Sequence, residues 1–350
     1  MSMFKPHINQ MSPYTPPLEG RSQSGCLLLD FNESVVSPPS QVSDALSSFI
    51  HSNRLQVYPE YGNLTELIGN YAQVPPGSCL FTNGSDQAID ILMRLVVNPG
   101  DNVLLLSPSF AMFEQAAQLE AAQIHEISYN PDFSFPYAEF EKNLGATNIR
   151  LAVIVNPNNP TGTPVDSDFI QAMVSRFPDT FFIVDEAYYE FHRETSSSLI
   201  AEHRNVAVLR TFSKAFALAA LRVGYLLGHS SLITELEKVR GPYDVNMLGA
   251  VGAMAALKDP SYVSRYADEV MNQAKPMLIA YLQSKGVDVY AGRANFLLLH
   301  SSDPPSTMDS LRQQGILVRR GRKVASSMVR ITVGPVSCVE KCIEALEKCL

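Results

Sequence analysis

Leu151-Ala-Val-Ile-Val-Asn-Pro-Asn-Asn-Pro-Thr-Gly162 decides the fold. Its first five residues are all apolar, so that strand needs cover on both faces, as in a mostly parallel sheet between helices. The run then ends in an Asn/Pro/Gly turn. Two further stretches repeat the pattern. Phe181-Phe-Ile-Val-Asp-Glu-Ala-Tyr188 is an apolar strand ending in acid. Val206-Ala-Val-Leu-Arg-Thr-Phe-Ser-Lys-Ala-Phe216 ends in hydroxyls and a lysine, with Arg222 eight residues after Lys214. Ligands of open α/β sheets gather at the carboxyl ends of strands. All three stretches place their polar residues there.

Outward from this centre, strands are expected at Cys26–Asp30, Leu80–Thr82, Asn102–Ser107, Ile124–Ile127 and Arg222–Leu227. Helical patterns at Gln87–Val97, Met112–Glu120 and Ser167–Phe177 alternate with them. Such alternation predicts an α/β layer architecture. After about residue 230 the pattern changes. A long amphipathic helix covers 261–285, which Pro276 is expected to kink. Strands follow at Val287–Tyr290, Asn295–His300, Ile316–Arg319 and Met328–Val333, with helices at Met308–Gln314 and Cys338–Leu350. The reading is an N-terminal arm (1–25), a large domain (51–244) and a small α+β domain built from 26–50 and 245–350.

The chain has 350 residues, 46% hydrophobic and 18% charged, which is enough apolar material for a large core. A net charge of −8 argues against general affinity for nucleic acid or anionic membranes. No apolar window is long enough for a transmembrane helix. Pro6, Pro13, Pro16 and Pro17 interrupt the first thirty residues, so no secretory signal is read there. Five cysteines fit a reducing compartment, and a cytoplasmic location is expected. Cys338, Cys342 and Cys349 share a helical stripe without a companion His or Cys pair at zinc spacing. That stripe reads as a half-buried face, and no metal is assigned.

Together the three motifs resemble the fold type I pyridoxal-phosphate (PLP) aminotransferases. The resemblance implies a large domain with a mostly parallel mixed sheet sandwiched by helices, plus a smaller α+β domain. PLP chemistry needs an amine to condense with the cofactor aldehyde and shuttle a proton, and Lys214 matches. It needs a carboxylate to keep the pyridine nitrogen protonated, which is Asp185. Tyr188 and Asn159 match the partners of the ring's 3′ oxygen. Thr211, Ser213 and Arg222 match the phosphate ligands. The turn Thr82-Asn-Gly-Ser-Asp-Gln87 would give a helix N-terminus to the phosphate, with Ser85 adding a hydroxyl. Asp86 would contribute its backbone N–H and cap that helix with its side chain. Phe110 matches the aromatic that stacks on the ring.

Within this superfamily the chain resembles histidinol-phosphate aminotransferases. Pro13-Tyr14, Leu29-Asp-Phe-Asn-Glu33, Val57-Tyr-Pro-Glu60, Gly315-Ile-Leu-Val-Arg319 and Val329-Arg-Ile-Thr-Val-Gly334 carry that likeness. It implies that Tyr58, which has no evident local role, reaches the cofactor phosphate of the partner subunit in a homodimer. It also implies that Arg330 grips the substrate carboxylate and that Arg319 and Tyr14 meet the substrate's phosphate end. The expected reaction converts histidinol phosphate and 2-oxoglutarate to imidazole-acetol phosphate and glutamate. The family's Asn-Glu-Asn-Pro-Tyr-Gly is replaced by Asn32-Glu-Ser-Val-Val-Ser37. The basic run Arg319-Arg-Gly-Arg-Lys323 is either a solvated loop or an aid to dianionic substrates.

Four alternatives stay in view. An aromatic amino-acid aminotransferase would use the same core. A threonine-phosphate decarboxylase would redirect the cleaved bond. Phe181–Tyr188 also resembles a Walker B strand, with Asp185 on magnesium and Glu186 as base, but no Gly-x-x-x-x-Gly-Lys-Ser/Thr loop accompanies it. A non-catalytic PLP-fold regulator would need a fused DNA-binding module, for which the chain has no room.

Overall fold

The computed structural model describes residues 3–15, 18, 20–21 and 25–349. Its strands are β1 (Leu27–Leu28), β2 (Cys79–Thr82), β3 (Asn102–Ser107), β4 (Gln123–Ser128), β5 (Ile149–Val155), β6 (Phe181–Asp185) and β7 (Val206–Thr211). They continue as β8 (Gly224–Gly228), β9 (Val289–Tyr290), β10 (Phe296–His300), β11 (Ile316–Leu317), β12 (Arg319–Arg320) and β13 (Met328–Thr332). Seven form one sheet in the order β2-β8-β7-β6-β5-β3-β4. β3 to β7 run parallel, and β8 runs antiparallel to both its neighbours.

Continuous apolar runs arise because successive side chains enter two different cores. Leu151, Val153 and Val155 pack with Ile183 and Leu209 on one face, beneath the helix Gly84–Val96. Ala152 and Ile154 pack with Val184 and Val208 on the other. The chain passes from β3 outward to β4, then returns to pair β5 on the far side of β3. That reversal opens a crevice at the carboxyl ends of the strands.

Four of the five strands between residues 289 and 332 form an antiparallel sheet, β12-β13-β10-β9. β1 pairs β11 in parallel and ties the N-terminal segment to this unit. The second layer is split where the sequence predicts longer strands. Only Leu27–Leu28 of Cys26–Asp30 pairs, and Ile316–Arg319 breaks between Leu317 and Arg319. The helix expected over 261–285 has a wider turn at Val270–Ala274, between Ser261–Glu269 and Lys275–Ser284. Pro276 falls in the first turn after that wide turn, where its missing N–H is tolerated. In the arm, which shows little periodicity, Pro6–Gln10 is a short helix, and the His7 ring bonds the Leu119 carbonyl. Pro16, Pro17 and Leu350 lie outside the described residues. The last helix runs Val336–Leu346 and buries Cys338 and Cys342.

Candidate active site

One cavity of about 120 Å³ lies at the ends of β5, β6 and β7. Its walls include Ser85, Asp86, Phe110, Asn159, Asp185, Tyr188, Thr211, Ser213, Lys214 and Arg222, with Val155 and Ala187 completing them. The sheet sets this convergence, because Val155 registers with Asp185 and Thr211 with Gly224.

The loop after β5 is held by its own amides. Asn156 closes it by bonding Val165 in both directions, through Nδ2 to the carbonyl and through Oδ1 from the N–H. Asn158 Nδ2 donates to the Pro108 carbonyl and Thr161 Oγ1, while its Oδ1 accepts from Ser109. Two asparagines thus fix the frame and a third, Asn159, faces the cavity. The sequence motif singled out Asn159. The framing role of Asn158 is legible only once the loops after β3 and β5 are seen together.

Asp185 is buried, and the Ala187 N–H is the only hydrogen-bond donor to its carboxylate among the described residues. Burial pushes its carboxyl up to about 7. Lys214 is half-buried and donates from Nζ to the Phe31 carbonyl at 2.9 Å. Burial, reinforced by Arg330, brings its amine down to about 8. Tyr188 is 2% exposed and accepts at its phenol oxygen from Asn32 Nδ2 at 2.9 Å. Burial raises this phenol to about 12.

At the cavity's other end, Arg222 donates to Ser213 Oγ at 3.3 Å and to Asp86 Oδ2 at 2.9 Å. Gly84 sits there with φ +72°. A Cβ on it would lie 2.6 Å from Arg222 Nη2, and one on Gly224 would lie 2.6 Å from the Ser85 nitrogen. These glycines let the helix N-terminus, Arg222 and β8 crowd around one point, which makes an anion cradle. The cap expected from Asp86 is not formed. Gln87 Oε1 accepts from the Asn83 N–H instead, and Asp86 turns to Arg222. A guanidinium within reach is a stronger partner than a backbone amide.

Arg330 adjoins this cavity from β13. It donates to Asn159 Oδ1 and to the Asp30 carbonyl, while its Nε is buried without a partner among the described residues. Arg319 lies directly across from it on β12, stacks on the Phe31 ring at 4.7 Å and leaves Nη1 buried and unpartnered. Tyr14 is 38% exposed on the arm and near enough to act on the charge of Arg330. The basic run divides. Lys323 pairs with Glu126, Arg320 Nε bonds the Ser326 carbonyl, and Arg322 is exposed. Tyr58 is outside the cavity and 73% exposed, and it does have a local contact, a stack on Tyr243 at 4.6 Å. Glu186, the base of the Walker B reading, faces away from the cavity and is ion-paired with Arg210.

The residues fit pyridoxal phosphate. A buried carboxylate with no ion pair among the described residues suits a pyridinium nitrogen, an amine near neutrality suits an aldehyde, and the glycine cradle suits a phosphate. Sequence reasoning missed Asn32 as a site residue. Its Asn-Glu start was visible, but nothing local placed it against Tyr188.

The sequence model of the family described as aminotransferase class I and II matches residues 26–347. A histidinol-phosphate aminotransferase of Halalkalibacterium halodurans is 31% identical over 98% of this chain and 96% of its own length. A dihydroxyacetone phosphate transaminase of Campylobacter jejuni is 30% identical over 94% and 92%. The crystal structure of histidinol-phosphate aminotransferase from Sinorhizobium meliloti, in complex with pyridoxal-5′-phosphate, superposes with a TM-score of 0.88. It is 23% identical and the match covers 99% of this chain and 97% of that one.

Proposed function

The chain belongs to the aminotransferase class I and II family and is a PLP-dependent transaminase, and from that premise we propose that it moves the amino group of a phosphate-bearing amine to 2-oxoglutarate. Histidinol phosphate is the first choice of donor. The observation that carries this reading is the cross-strand pair Arg319 and Arg330, each with a buried N–H awaiting an acceptor.

When bound, pyridoxal phosphate supplies an electron-withdrawing ring that stabilises negative charge at the amine-bearing carbon. Asp185 would hold a proton at the pyridine nitrogen. Asn159 and Tyr188 would serve the ring oxygen, and Phe110 would cover the ring face. Arg222, Thr211, Ser213 and Ser85 would hold the phosphate, with the backbone N–H of Asp86. Lys214 then takes the proton from the substrate carbon, a task suited to an amine that is neutral above about 8. Arg330 grips the carboxylate of 2-oxoglutarate and, with Arg319 and Tyr14, the phosphate of the donor. The protein works as a homodimer in the cytoplasm, where its free cysteines stay reduced, and Tyr58 of each copy serves the other's phosphate site.

The Campylobacter jejuni relative supports a second reading, in which dihydroxyacetone phosphate is the phosphate-bearing partner. Both readings share the phosphate and differ in the group beside it. A side-by-side assay of histidinol phosphate, phenylalanine, tyrosine and threonine phosphate, each with 2-oxoglutarate, and of dihydroxyacetone phosphate with glutamate tests them. The expected order puts histidinol phosphate first in kcat/KM. Highest activity on phenylalanine, or carbon dioxide from threonine phosphate, would overturn the phosphate-amine reading.

A further inference from the structure

Asn32 is fully buried on the segment that follows β1, with φ +57°. Four hydrogen bonds fix it. Its backbone N–H donates to Thr332 Oγ1 at 3.0 Å, and that hydroxyl donates to Asn32 Oδ1 at 3.1 Å. Its carbonyl accepts from Asn295 Nδ2 at 3.3 Å, and its Nδ2 donates to the Tyr188 oxygen at 2.9 Å.

These bonds have a direction. Thr332 Oγ1 accepts from the Asn32 N–H, and among the described residues its own hydrogen has one acceptor, Asn32 Oδ1, so the amide atom that faces it is the oxygen. Asn32 then presents N–H to Tyr188 and can only donate. The phenol oxygen is already an acceptor from behind, so the phenol hydrogen points into the cavity. Thr332 is two residues from Arg330 on β13, and Arg330 bonds the Asp30 carbonyl two residues before Asn32. The strand that carries the substrate arginine therefore also sets the proton direction at Tyr188.

We propose that Asn32, oriented by Thr332, is a positioning residue that makes the Tyr188 phenol a hydrogen-bond donor to the cofactor's ring oxygen. This rests on the reading that Tyr188 meets that oxygen. With the cofactor bound, a donor there would draw off negative charge from the ring oxygen and lower the pH at which the Lys214 nitrogen gives up its proton. Loss of the donor raises the pH at which that proton leaves.

The test is the pH titration of the visible absorption of the holoenzyme, read with Asn32→Asp, Thr332→Val, Thr332→Ser and Tyr188→Phe. Asp tolerates the left-handed backbone at 32, yet it can only accept, so it reverses the phenol. Asn32→Asp and Tyr188→Phe are each expected to raise the midpoint by about one unit. Thr332→Val is expected to move it the same way, and Thr332→Ser to leave it at the wild-type value. Asn32→Asp added to Tyr188→Phe is expected to add no further shift. An equal shift on both backgrounds would overturn the proposal, because Asn32 would then act without Tyr188. An unmoved midpoint in Asn32→Asp with a shift in Tyr188→Phe would also overturn it while leaving the Tyr188 reading intact. An unmoved midpoint in Tyr188→Phe itself would remove that reading and the proposal with it.

Discussion

Arg319 and Arg330 are direct partners across the antiparallel pair β12–β13, and each keeps a buried N–H without an acceptor among the described residues. Like charges opposite one another in a sheet are unfavourable on their own. An anion between them reverses the sign. Each charged contact to a phosphate is worth roughly 1.5–3 kcal/mol. Arg319→Ala is therefore expected to lower kcat/KM for histidinol phosphate about tenfold or more. Phenylalanine should change far less, which steady-state kinetics on both donors will show.

Lys214 must be neutral to attack an aldehyde and protonated to give a proton back. Its amine is held near 8 by burial first and Arg330 second. Below that pH the charged form dominates, so covalent capture of pyridoxal phosphate by the apoprotein should accelerate as pH rises from about 6 and level off above about 8. Lys214→Ala should abolish turnover and leave nothing for borohydride to fix to the chain. Mass spectrometry after reduction checks the second point.

Asp185 is raised to about 7 because burial outweighs the Ala187 hydrogen bond and the charge of Lys214. A pyridinium beside it would bring it back down and keep both charged. Asp185→Asn removes the anion but keeps the shape. The expected loss in kcat is on the order of 10³-fold, about 4 kcal/mol of transition-state stabilisation. A few-fold loss would mean that Asp185 does not face the ring nitrogen.

Tyr58 and Tyr243 form an exposed stack, and Leu55 and Val57 are exposed beside them at 62% and 47%. Such a patch is expected to be covered in a homodimer. Light scattering should give a mass near 77 kDa, twice the 38.5 kDa chain. Tyr58→Phe should weaken pyridoxal phosphate binding several-fold and leave the dimer intact.

The parts legible in the sequence were those whose signal is local. Continuous apolar runs gave β5, β6 and β7, and the polar residues at their exits gave Asn159, Asp185 and Lys214. The sequence was silent where the contact is between distant segments. Asn32 meets Tyr188 across 156 residues and Thr332 across 300. The expected Asp86 cap failed for the same reason, since Arg222 lies 136 residues away. Tyr58 had a neighbour, Tyr243, that no local pattern reveals. The split of the basic run follows from strand alternation and from Glu126, on a strand nearly two hundred residues earlier.

Glu186 and Arg210 show what the acid after Asp185 is for. Arg210 Nε donates to Glu186 Oε2 at 3.0 Å, both groups are fully buried, and the Thr195 hydroxyl and Ser196 N–H supply the remaining donors. Consecutive strand residues point to opposite faces, so Asp185 faces the cavity and Glu186 lies on the other side. A hydrolase base would need solvent and a metal-bound nucleotide, and the fully buried Glu186 has access to neither. Its role is to neutralise Arg210, which stacks on Tyr189 at 3.5 Å just after the Asp185–Tyr188 turn. Glu186→Ala leaves the Arg210 charge buried with its ion-pair partner gone and Glu190 the nearby acid that still acts on it, a loss of roughly 3 kcal/mol. Urea denaturation of the holoenzyme should show a clearly lowered midpoint, whereas kcat at low temperature should fall only a few-fold in the fraction that stays folded. A stable Glu186→Ala protein with kcat down a thousandfold would place Glu186 in the chemistry after all.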